Sequence, residues 1–149
     1  MKRLILSVSL LLASVGSCAA AGLNAAQADH VLGHVRDSIR AAKSTGCVAV
    51  VDASGVLIAF QRFDKAPPGC VEASIGKART SALYHAPSLK FMQRLQQGET
   101  TVLAIPQAVP LGGGFPLTLH GEVVGAVGVS TPEQELDNQA SESAANALN

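Results

Sequence analysis

Cys47-Val48-Ala49-Val50-Val51-Asp52-Ala53-Ser54-Gly55-Val56-Leu57-Ile58-Ala59-Phe60 is the stretch that decides the fold. Two apolar, β-branched runs, Cys47–Val51 and Val56–Phe63, flank the turn formers Asp52-Ala53-Ser54-Gly55, and this pattern predicts a β-hairpin. A second hairpin is predicted downstream, from Phe115–Leu119 and Glu122–Val129 around a His120-Gly121 turn. Helices are predicted before, between and after the hairpins. Ala28, Val31, Leu32, Val35, Ile39 and Ala42 recur at helical spacing within Asn24–Lys43, with Asn24 as cap and Gly46 expected to take the left-handed exit. Val71–Tyr84 reads as a second helix burying Val71, Ile75, Ala78 and Ala82. Pro87 ends it, and Ser88 is the expected cap of a short helix carrying Leu89, Met92 and Leu95 inward. Thr131, Pro132 and Gln134 signal a last helix whose inner face is Leu136, Ala140, Ala144 and Leu148. The order helix, hairpin, two helices, hairpin, helix gives an α/β chain of the α+β kind, with helices packed on an antiparallel sheet.

The chain opens with Met1-Lys2-Arg3, an apolar run Leu4–Val15 and the small residues Gly16-Ser17-Cys18-Ala19-Ala20-Ala21. These are the parts of a secretory signal peptide, so residues 1–21 are set apart from a single domain at 22–149. The expected location is periplasmic or secreted. Ala19-Ala20-Ala21 fits ordinary cleavage, while Val15-Gly16-Ser17-Cys18 also resembles a lipobox, which would tether the domain to a membrane through Cys18. Losing Lys2 and Arg3 reduces 11 basic residues to 9, against 11 acidic ones, for a net charge of −2. Every Lys and Arg lies at or before Arg94, and the balance is not that of a nucleic-acid binder. If Cys18 leaves with the signal, Cys47 and Cys70 are the two cysteines that remain. An oxidising compartment permits a disulfide between them; two separate buried thiols are the other reading.

Five segments then carry a resemblance. Val48–Gly55, Ile75-Gly76-Lys77-Ala78-Arg79-Thr80, His85-Ala86-Pro87-Ser88, Pro110–Leu117 and Gly121–Ser130 are similar, in this order, to segments of the GlcG/HbpS family, the haem-binding-protein-like (formerly haem-degrading) domain. Ser88 stands where that family often has Thr. The resemblance implies a profilin-like domain with a five-stranded antiparallel sheet flanked by helices, assembled as a homo-oligomer. It also implies a small-molecule ligand, with haem or a related tetrapyrrole as the cofactor. The alternative is an enzyme or accessory factor acting on a small organic acid such as glycolate.

Haem needs an axial ligand, an apolar slot and cations for its propionates. No Cys-x-x-Cys-His is present, so attachment would be non-covalent. His85, His30, His34 and His120 are candidate axial ligands, with Tyr84 as an oxygen alternative. His85 is the best placed, as the metal ligand at the end of the second helix; its other reading is a helix-terminal cation. Lys77, Arg79, Tyr84, Ser88 and the backbone of Gly112-Gly113-Gly114 complete the predicted binding set. His30 and His34, at i and i+4, can share a metal or simply face solvent. Phe60, Phe63, Phe91 and Phe115 are either pocket walls or core. Gly76-Lys77 fails as a phosphate loop because Ala78 follows. No catalytic constellation is recognised, and Asp52 is explained as a turn residue.

Overall fold

The computed structural model describes residues 22–148, so the signal peptide expected at 1–21, with Cys18, lies outside the described residues. The elements are α1 (Ala25–Ala41), β1 (Cys47–Asp52), β2 (Leu57–Arg62), α2 (Cys70–Tyr84), α3 (Leu89–Gln96), a 3-10 turn (Thr100–Ala104), β3 (Gly114–Leu119), β4 (Glu122–Ser130) and α4 (Gln134–Asn146). The strands form one antiparallel sheet in the order β2-β1-β4-β3. Among the described residues the sheet thus has four strands, which corrects the five implied by the resemblance. The segment 98–110 contributes a 3-10 turn and irregular chain instead. Pro106 and Pro110 each remove a ladder donor from it. Pro116 is accommodated in β3 because β3 is an edge strand.

Side-chain alternation sorts the sheet into two unlike faces. Val48, Val50, Leu117, Val127 and Val129 point to one side, where Ala28, Val31, Val35 and Ile39 of α1 and Ala140 and Ala144 of α4 cover them. Ala49, Val51 and Ala126 point to the other, against Ala78 and Ala82 of α2. The second face is small, so α2 sits very close to it. A Cβ on Gly128 would strike the Ser74 carbonyl and the Ala78 nitrogen, and one on Gly114 would strike the Lys77 carbonyl. This corrects the expected buried face of α2. Val71 and Ile75 are only half-buried, while Ser74, Lys77, Ala78, Thr80, Ser81 and Ala82 are buried, because short side chains permit close backbone approach. Phe60, Phe63 and Phe115 pack against these clusters and Phe91 is buried, so the phenylalanines belong to the core.

Other expected devices are reassigned. Asn24 caps α1 as expected, and Gln27, not singled out in the sequence, completes a capping box with it. The left-handed residue after α1 is Lys43, not Gly46. Gly46 is required instead because a Cβ would meet the Ser130 backbone. Asp52 Oδ1 accepts from the Ser54 and Val56 nitrogens and closes the first hairpin turn. Thr131 does not cap α4 as its first residue; the helix begins at Gln134, and the Thr131 hydroxyl accepts from the Glu133 nitrogen just before it.

Cys47 and Cys70 are joined in a disulfide, with Cα atoms 5.4 Å apart, tying the start of β1 to the start of α2. Closing a loop over a sequence separation of 23 is expected to stabilise the fold by about 3 kcal/mol in the loop-entropy model. Chemical unfolding of the oxidised protein and of Cys47→Ser/Cys70→Ser measures this, and equal midpoints would refute it.

Candidate functional site

The predicted binding residues gather around the C-terminal half of α2, the start of α3 and the Gly-rich entry to β3. They divide sharply into buried and exposed groups. Lys77 is 3% exposed. Its ammonium donates to Asp137 Oδ2 at 2.7 Å and to the Val129 carbonyl at 2.9 Å. Asp137 is 2% exposed, and its other oxygen, Oδ1, accepts from the Thr131 nitrogen and hydroxyl, each at 2.7 Å. Burial pushes the Asp137 carboxyl above its ordinary range, against the opposing pull of the Lys77 ammonium and the Thr131 donors. The pair joins α2 and α4, which lie on opposite faces of the sheet, around the end of β4. Gly113 leaves the room for it: a Cβ there would lie 3.2 Å from Lys77 Nζ and 2.6 Å from Asp137 Cβ. Lys77 is therefore committed to the fold and is not free to meet a ligand carboxylate.

Ser88 and the glycines are likewise internal. Ser88 Oγ accepts from the Gly114 nitrogen at 2.8 Å, and the Ser88 nitrogen donates to the Gly114 carbonyl at 3.0 Å. The hydroxyl therefore fastens α3 to β3 and does not cap α3 as expected. Gly112, Gly113 and Gly114 are all buried. The Gly114 N–H is used by Ser88, which removes it from any anion cradle. Against Gly112 lie Gln134 Nε2 and Asn138 Oδ1, two buried polar atoms with no partner among the described residues.

Three predicted residues remain at the surface. His85 is exposed and ends α2 in the left-handed conformation, with φ 50°. That backbone turn directs the chain away from the helix. No hydrogen bond to its imidazole is found among the described residues. Tyr84 is 37% exposed, donates its hydroxyl to the Pro106 carbonyl at 2.6 Å, and lies 5.5 Å from the Phe91 ring centroid. Arg94 stacks over the other end of this aromatic pair, 5.8 Å from Phe91. Arg79 is half-buried, and its Nε donates to the Gly55 carbonyl at 3.1 Å, with the terminal nitrogens not engaged in that bond. His120 lies apart, exposed in the β3–β4 turn. A separate polar hollow of about 330 Å³, lined by Arg62, Phe63, Asp64 and Lys65, includes one candidate pocket wall, Phe63, and none of the predicted binding residues.

With this geometry in hand, the chain matches the family described as "Haem degrading protein HbpS-like" over residues 23–146. The chain belongs to the GlcG/HbpS family. Protein GlcG of Escherichia coli (strain K12) is 36% identical over 83 residues, 56% of this chain and 62% of GlcG, so the match spans less than two thirds of that curated relative. An uncharacterized 15.0 kDa protein in the dhaT-dhaS intergenic region of Citrobacter freundii is 33% identical over 100 residues, 64% of this chain and 70% of that protein. Among solved structures, a double mutant of Streptomyces reticuli HbpS superposes with a TM-score of 0.81 at 27% identity, covering 96% of this chain and 99% of its own. PduOC, solved as a haem complex, shares the fold with a TM-score of 0.78 at 21% identity, covering 87% of this chain and 96% of its own.

Sequence reasoning missed Asp137. The signal was present: Asp137, Ala140, Ser141 and Ala144 form the buried stripe of α4. A carboxylate on an apolar stripe calls for a buried cation, and every Lys and Arg of the chain is upstream.

Proposed function

We propose that this member of the GlcG/HbpS family is an exported small-ligand-binding protein that holds haem or a related tetrapyrrole without covalent attachment, with His85 as the axial ligand. The observation that carries the reading is the exposed His85 imidazole, presented by a left-handed helix terminus beside Tyr84 in a chain of this family. The fit to haem is partial and specific. His85 supplies a nitrogen donor, Tyr84 an apolar ring surface, and the terminal nitrogens of Arg79 a cation for a propionate. Lys77, Ser88 and Gly112–Gly114 act behind them by holding α2, α3 and β3 in place. Bound haem would supply the iron chemistry, and His85, Tyr84 and Arg79 would be the residues that hold it.

Export is supported by the leader at residues 1–21 and by the Cys47–Cys70 disulfide, which suits an oxidising compartment. The mature product is soluble in the periplasm or medium, or is tethered through a lipidated Cys18; the intact mass of the processed chain separates the two. Assembly as a homo-oligomer belongs to the same reading and is checked by sedimentation of the processed protein. The organic-acid alternative would use Lys77 and the Gly112–Gly114 loop for the carboxylate, and there Lys77 is paired with Asp137 and the Gly114 N–H with Ser88.

Titration of the purified protein with haemin, followed at the Soret band, tests the assignment. Saturable binding at micromolar protein is expected, with His85→Ala weakening it about tenfold or more. No saturable shift, or one unchanged in His85→Ala, would overturn it. A thermal shift with glycolate but none with haemin would favour the organic-acid reading instead.

A further inference from the structure

We propose that His30 and His34 form a two-imidazole chelate for a divalent first-row transition cation on the outer face of α1. This site is separate from the haem reading, since α1 covers the opposite face of the sheet from α2 and His85. The helix that carries it is rigid. Asn24 and Gln27 close its start in a capping box, and Ala28, Val31, Val35 and Ile39 anchor its inner stripe in the core. His30 and His34 stand one turn apart on the outward side, both exposed. Their ring centroids are 4.7 Å apart, with the planes at 74°. Among the described residues, no hydrogen bond claims a nitrogen of either ring.

These features supply what a chelate needs. Side chains at i and i+4 lie one above the other on a helix, so two imidazole nitrogens can converge on one ion with only side-chain rotation. The backbone is ordered by the core beforehand, so little chain entropy is lost on binding. Imidazole suits Cu²⁺, Ni²⁺ and Zn²⁺ and discriminates against Mg²⁺ and Ca²⁺, which take oxygen ligands. Asp37 follows three residues after His34, on the same side of the helix. Its side chain is 73% exposed and only loosely paired with Arg36, at 3.7 Å. An exposed pair of this kind is worth little, so the carboxylate is free to join through water, while among the described residues no group of three His, Cys, Asp or Glu side chains is placed to hold the ion directly. The remaining coordination positions are open to solvent, as in sites that take an exchangeable ligand.

The test uses the untagged, processed protein free of haem, titrated calorimetrically with CuCl2, NiCl2 and ZnCl2. One ion per chain is expected, with Cu²⁺ tightest. His30→Ala and His34→Ala should each weaken binding by at least about tenfold, because each converts a chelate into a single ligand. Both residues are exposed, so the metal-free melting temperature should stay unchanged in these variants. The EPR spectrum of the Cu²⁺ complex should show coupling to two nitrogens, lost in the double variant. Asp37→Asn should weaken binding less than either His variant. Equal affinity in wild type and His30→Ala/His34→Ala would overturn the assignment. So would a loss in Asp37→Asn that exceeds both.

Discussion

Replacing Asp137 with Ala is expected to cost about 3–5 kcal/mol of folding stability, because it strands the Lys77 ammonium in the interior. Lys77 is 3% exposed, and the Val129 carbonyl alone would be left to accept from it. Lys77→Ala is expected to have a similar effect by leaving the Asp137 carboxylate with only the Thr131 donors. The pair itself is not expected to be worth that much. Burial pushes the Asp137 carboxyl above its ordinary range despite Lys77 beside it, so desolvation outweighs the attraction within the pair. The double variant Lys77→Met/Asp137→Leu, similar in volume and apolar, should therefore recover most of the loss. Urea unfolding of the four proteins reads this directly. A double variant no more stable than the single variants would show that the ion pair is intrinsically stabilising. Total stability of such domains is about 5–15 kcal/mol, so the single variants are expected to approach the threshold of folding.

Gly113→Ala is expected to be comparably damaging, for two additive reasons. Gly113 has φ of 102°, where a side chain is strained. A Cβ would also lie 2.6 Å from Asp137 Cβ and 2.8 Å from the Val129 carbonyl oxygen. Backbone strain of this type costs about 1–3 kcal/mol and overpacking a filled interior about 1–3 kcal/mol more, together about 2–6 kcal/mol. Gly98→Ala separates the two contributions. Gly98 has φ of 92° but nothing within 4 Å of its Cβ position, so only the strain remains. Thermal unfolding should place Gly98→Ala well above Gly113→Ala. Equal losses would show that the crowding at Gly113 is relieved by small shifts of Lys77 and Asp137.

Lys77 and Gly113 stand out in the sequence by residue type but not by task, and Asp137 does not stand out at all. Lys77 and Gly112–Gly114 read as a cation and an anion cradle for a ligand, since charge and backbone donors are what a ligand site requires. The fold uses them internally. Lys77 neutralises a carboxylate sixty positions away, and the glycines admit that contact and the close seat of α2. Ser88 shows the same shift, from helix cap to the fastener of β3. By contrast, His85 and Tyr84 were placed at the end of α2, where the structure has them.

What the sequence by itself determined is local. The Asn24 cap of α1, the Asp52–Gly55 and His120-Gly121 turns, the two hairpins and the Ala28, Val31, Val35 and Ile39 stripe all follow from neighbours within a few positions, while Ala42, expected on that stripe, is exposed at the helix end. Helix period, strand alternation and turn chemistry act over that range. The residues outline two hairpins, while the five-strand count implied by the resemblance is not what the structure has. Tertiary structure alone decided the strand order β2-β1-β4-β3, the face of α2 that is buried, and the meeting of Lys77 with Asp137. Those outcomes depend on which distant surfaces are small enough to approach. That is set by Ala49, Ala126, Gly114 and Gly128 acting together across the sheet, and no single segment contains the information.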